Sequence, residues 1–87
     1  MKMTQEKMML EWLQFKLNTS NIIASHEIQL DFPRYIQVHF GKRILPDSAS
    51  RLWRKVREGK AYQNIGIENV VKANVNAKET YWDLRKS

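Results

Sequence analysis

The chain has 87 residues, no cysteine and a formal net charge of +6. That length fits one domain with one compact core, and the missing thiols exclude disulfide staples, zinc–thiolate sites and cysteine nucleophiles. Hydrophobic residues make up 43% of the sequence, too much burial capacity for a disordered tail, yet no stretch approaches the roughly eighteen consecutive apolar residues of a membrane span. The opening Met1-Lys2-Met3-Thr4-Gln5-Glu6 places an acid where a secretory leader carries an apolar run. The sequence therefore predicts a soluble, cytoplasmic protein, bacterial or nucleoid-associated if the source is prokaryotic.

Residues 4–17 predict a helix, with Thr4 as its N-cap and Glu6 at the positive end of the macrodipole. Met9, Leu13 and Leu17 recur at i, i+4 and i+8, and Met8, Trp12 and Phe15 widen the stripe. Such a stripe is core-forming. Its breadth also makes the Met8–Phe15 face a candidate homodimer surface. Asn18-Thr19-Ser20-Asn21 has turn chemistry, and the β-branched pair Ile22-Ile23 suffices for a minimal strand.

Residues 26–40 predict a second helix that stops at Gly41, with Ser25 as a plausible cap. Pro33 conflicts with a helix interior, and Ile28, Leu30 and Phe32 also alternate like a strand. A start at Asp31-Phe32-Pro33, with proline in the first turn, stays open. Gly41–Pro46 reads as a connecting turn. Residues 47–58 predict a third helix, capped by Asp47 and ended by Gly59, whose Ala49, Leu52, Trp53 and Val56 form one apolar face.

Residues 65–84 change to period two. Ile65, Ile67, Val71 and Ala73 alternate on one face with Val75, Asn69 being the exception, and Thr80, Trp82 and Leu84 alternate again. With the asparagine-rich tip around Asn74 to Lys78, this predicts a β-hairpin.

Charge is concentrated. Lys42, Arg43, Arg51, Arg54, Lys55, Arg57 and Lys60 face only Asp47 and Glu58 within residues 41–60, so that stretch holds five of the six net charges. A compact basic zone rich in arginine is the footprint of a polyanion binder.

Helix, short strand, helix, turn, arginine-rich helix and hairpin in that order resemble a winged helix-turn-helix domain. Ser48-Ala49-Ser50-Arg51-Leu52-Trp53-Arg54-Lys55-Val56-Arg57-Glu58-Gly59 is similar to the recognition helix of that superfamily, and Glu79-Thr80-Tyr81-Trp82-Asp83-Leu84 to its returning wing strand. Small phage and prophage winged-helix proteins are the nearest flavour. The chain departs from the usual pattern at Pro33 and in the long connection Gly41–Pro46. The resemblance implies a single α+β domain over residues 1–87, with three helices and a C-terminal wing hairpin. It also implies binding of double-stranded DNA, with the third helix in the major groove, as a small regulator or an accessory of phage replication or recombination.

In that reading Arg51 and Arg54, three residues apart, are the candidates for base contact, since arginine can bond guanine O6 and N7 together. Ser48 and Ser50 lie in the first turn, within reach of a phosphate or a close base. Lys42, Arg43, Lys55 and Arg57 are candidates for phosphate contact, which sets register without reading sequence. Lys72, Asn74, Asn76 and Lys78 ride on the wing. Arg57 has the alternative of pairing with Glu58 or Asp83, and Trp12, Trp53 and Trp82 read as core. A protein–protein adaptor on the same scaffold is the rival reading. RNA fits less well, because the interleaved aromatic and basic strand pattern of single-strand RNA modules is missing.

Enzyme chemistry finds no support. His26 and His39 lack a carboxylate constellation, His26-Glu27 lacks the second histidine of a helical zinc pair, and Gly41, Gly59 and Gly66 are too scattered for a phosphate loop. No catalytic residue, metal or cofactor is expected.

Overall fold

The computed structural model describes residues 4–76 and 79–86. Thr4 caps α1 (Gln5–Leu17), its hydroxyl accepting the Lys7 N–H at 3.2 Å. After the polar turn, β1 (Ile22–Ala24) leads into a wide π-helical turn (Glu27–Asp31) that runs on as α2 (Phe32–Phe40). Next come α3 (Pro46–Glu58), a 3-10 turn (Ala61–Ile65) and the hairpin strands β2 (Ile67–Asn76) and β3 (Glu79–Lys86).

The sheet order is β1-β3-β2, antiparallel throughout, so the returning wing strand lies between its hairpin partner and the short early strand. The architecture is α+β with a winged-helix-like layout. The core fills the space between helices and sheet. Met8, Met9, Trp12 and Leu13 enter from α1, and Ile28, Phe32 and Ile36 from the second helical segment. Ile23, Ile67 and Leu84 enter from the sheet. Trp12 and Phe32 pack at a centroid distance of 5.6 Å, tilted by 58°, an arrangement that aromatic quadrupoles favour.

Pro33 is accommodated by the π turn. The Phe32 N–H donates to the Glu27 carbonyl, five residues back, so the chain is already out of α register where proline has no N–H to give. Helical geometry thus spans the expected 26–40, and proline occupies the first turn of the regular part. Ser25 does not cap it, because its hydroxyl donates to the Thr80 carbonyl of β3 at 2.9 Å. Glu27 anchors the entry instead, accepting the Ala24 N–H at 2.9 Å and an ion pair from Lys16 of α1. Gly41 ends α2 in the left-handed conformation (φ +64°), where a Cβ is disfavoured.

Two expectations need correction. Asp47 does not cap α3. Pro46 fits the first helical position, so the helix starts one residue earlier, with extended Leu45 at the N-cap and no side-chain bond there. Gly59 ends α3 as expected, staying right-handed as its C-cap, and Lys60 makes the turn at φ +54°. The second correction concerns the wing. Ile67 faces Lys86 while Asn69 faces Arg85, so β2 carries an extra residue there. A bulge of this kind flips the alternation. Val70 then shares the inner face with Leu84, while Val71 pairs with Asp83 and Ala73 with Tyr81 on the other face.

Candidate nucleic-acid interface

α3 is fixed by its underside. Ala49, Trp53 and Val56 are buried and Leu52 nearly so, which leaves the opposite face to solvent. One polar contact adds to this: Gln29 Nε2 donates to Ser50 Oγ at 2.9 Å, tying the N-terminal part of α3 to the π turn. Ser50 is therefore half-buried and engaged within the protein, and Ser48 is also half-buried.

Arg51, Arg54 and Lys55 project from the outer face. Arg51 and Lys55 have no hydrogen bond or ion pair with any described residue. Arg54 Nε donates to Glu58 Oε1 at 3.0 Å, one turn along the helix, with both side chains about two-thirds exposed or more. An exposed i,i+4 pair of this kind is weak enough for a stronger anion to displace.

Arg57 behaves differently. Its guanidinium carbon lies 4.1 Å from the Trp82 ring centroid and 5.7 Å from that of Trp53, and the two indoles meet edge-on at 5.8 Å. Burial lowers the Arg57 pKa, the nearby Glu58 charge raises it and Arg54 lowers it again, with a downward result. Arg57 Nε and Trp53 Nε1 are buried without a hydrogen-bond partner among the described residues. The expected acids are taken elsewhere, Glu58 by Arg54 and Asp83 by Arg85 at 3.4 Å. Arg57 thus packs α3 against β3.

Lys42 and Arg43 are exposed in the α2–α3 connection. On the wing, Lys72 is exposed and directly across from Trp82. Asn74 and Asn76 lie in β2, and Lys78 lies outside the described residues. Two further cations join the basic surface. Lys60 is exposed just beyond α3, and Arg34 is exposed on α2, lining the same groove as Arg43. Lys60 is visible in the charge run of residues 41–60. Arg34 carried no signal, because only the folding of α2 against the connection brings it near Arg43.

Of the Met8–Phe15 stripe, Met8, Met9, Trp12 and Leu13 are consumed by the core, and Phe15 remains 55% exposed beside Tyr35, 5.6 Å between ring centroids. His39 stacks on Tyr35 at 4.3 Å, and His26 Nδ1 pairs with Glu79 of β3. The His26 side chain and backbone N–H hold the Glu79 carboxyl below its ordinary value. Among the described residues no three His, Asp or Glu side chains gather as a metal site, and no helix is long and apolar enough to cross a membrane. Comparison with known proteins finds no matching family model, no matching curated protein and no matching solved structure.

Proposed function

We propose that this chain binds double-stranded DNA, laying the outer face of α3 in the major groove, as a small regulator or an accessory of phage replication or recombination. One observation carries the reading. α3 is held rigidly by four apolar residues on one side and presents Arg51, Arg54 and Lys55 to solvent on the other. A helix fits the major groove, and arginine is suited to the donor and acceptor code displayed there.

The geometry refines the roles. Arg51 is the foremost candidate for base readout. Arg54 joins it by exchanging the Glu58 carboxylate for the duplex. Lys55, Lys42 and Arg43 supply phosphate contacts, and Lys72 reaches the backbone from the wing. Arg57 acts by holding the wing against α3, and Ser50 by fixing the N-terminal part of that helix. Selection from random duplexes, followed by a salt titration of the winning sequence, tests the reading. A preferred sequence and a steep fall of affinity with salt are expected. No enrichment, or affinity indifferent to salt, overturns it.

A further inference from the structure

A groove of about 550 Å³ runs between α2 and the connection into α3. Its lining sets Leu30, Pro33, Ile44 and Leu45 beside Arg34 and Arg43, with no acidic side chain among the lining residues. Leu30 is 61% exposed and Leu45 72%, so two of the most exposed large apolar side chains among the described residues share one concavity. Arg34 and Arg43 are exposed, and neither is ion-paired with a described residue. From this juxtaposition we infer that the groove docks an acidic protein segment that inserts a large apolar side chain between Leu30 and Leu45 and sets its carboxylates against Arg34 and Arg43.

Charge and polarity select this occupant. An apolar concavity rimmed by one sign of charge complements an amphipathic segment of the opposite sign. A nucleic-acid strand fits poorly, because the leucines and prolines offer no donor to a phosphate and would strip its water without replacement. A second copy of this chain also fits poorly, since it brings a further net charge of +6. The positive end of the α3 macrodipole opens onto the same groove at Leu45 and Pro46, where no side chain caps the helix and Asp47 of the first turn meets only part of it. It favours a carboxylate at that end. The inference does not depend on duplex binding.

The test uses the complete chain as bait for a displayed library of short random peptides. Enriched peptides are expected to combine acidic with large apolar residues, and synthetic copies are expected to shift the methyl signals of Leu30 and Leu45. Leu45→Asp places a carboxylate in the groove at a helix N-cap position. It should weaken peptide binding by about tenfold or more while the thermal midpoint holds or rises, which separates loss of docking from loss of fold. Arg43→Glu should weaken binding similarly and recover it with a peptide in which only the acid facing position 43 is replaced by lysine. Lys7→Glu makes the same charge change on α1, outside the groove, and should have no effect. Absence of enrichment, enriched peptides without acids, or undiminished binding to Leu45→Asp overturns the inference. So does a random-sequence duplex that, in place of the peptides, gives intermolecular contacts from its sugars to both leucine methyl groups. The duplex affinity of the wild-type chain is measured separately.

Discussion

Arg57 lies face-on to Trp82, with its guanidinium carbon 4.1 Å from the indole centroid. A residue of the most basic helix is thereby turned inward to join that helix to the wing. Its hydrocarbon stem covers apolar surface, and its cation sits over a ring in a partly desolvated place. Arg57→Ala is expected to lower unfolding stability by about 1–2 kcal/mol. Arg57→Lys should recover only part of this, because an ammonium lacks the planar stacking surface. Urea unfolding of the three proteins checks it, and an unchanged midpoint for Arg57→Ala would remove the stacking role.

Arg51 and Arg54 separate in their dependence on the protein's own acids. Arg51→Ala should weaken binding to the selected duplex by about 1–3 kcal/mol and relax discrimination at one base pair. Glu58→Gln frees Arg54 and removes an anion from the proposed interface, so affinity should rise. Stability should move by less than about 0.5 kcal/mol, as the Arg54–Glu58 pair is exposed. Fluorescence anisotropy on one labelled duplex measures both changes. Weaker binding by Glu58→Gln would count against Arg54 as a contact.

Glu27 makes stability depend on acid pH. Burial pushes its carboxyl up, and the Lys16 hydrogen bond, the Ala24 N–H and the Lys16 charge outweigh this, leaving it below the ordinary 4.5. The folded state therefore binds this proton more weakly than the unfolded chain does. The associated stability is present above the unfolded value and is lost as pH falls through the lower folded one. Glu27→Gln should cost about 1 kcal/mol at neutral pH, a charge-assisted hydrogen bond discounted for solvent screening. The gap from wild type should narrow at pH values well below 4.5. Chemical denaturation at neutral and acid pH reads that gap, and a gap that is constant across pH would assign the stabilisation to another group.

Two left-handed positions answer oppositely to substitution. Gly41→Ala should destabilise by about 1 kcal/mol through backbone conformation alone, since a Cβ there meets nothing within 4 Å. Lys60 holds φ +54° with a side chain attached, so Lys60→Gly should raise the thermal midpoint modestly. The same substitution removes one cation from the basic surface, so duplex affinity should fall slightly while stability rises. Thermal melts settle the pair, and destabilisation by Lys60→Gly would mean that its side chain contributes more than its strained backbone costs.

The elements legible in the sequence are those whose determinants are local. Thr4 and the 3.6-residue stripe define α1, and the apolar spacing from Ala49 to Val56 defines α3, with no need of tertiary information. Boundaries were less legible where two local signals competed, as Pro46 and Asp47 did for the start of α3. The wing was recognisable as a hairpin, but one extra residue near Asn69 reverses which side chains face inward, and alternation alone does not reveal the bulge. Side chains whose partners are distant in sequence were beyond reach. Arg57 meets Trp82, Ser50 meets Gln29 and Arg34 comes to line one groove with Arg43 only after the helices have packed.

The central position of β3 makes it the partner that both other strands need. Ile22, Ile23 and Ala24 pair with Asp83, Trp82 and Tyr81, never with β2, so the early strand has no ladder until β3 is in place. The hairpin can zip from its own turn in microseconds, whereas closing the long loop back to β1 is entropically dearer and slower. A chain truncated before β3 must therefore leave Ile23 without its ladder, and a chaperone that ignores the 87-residue chain should capture the truncated one.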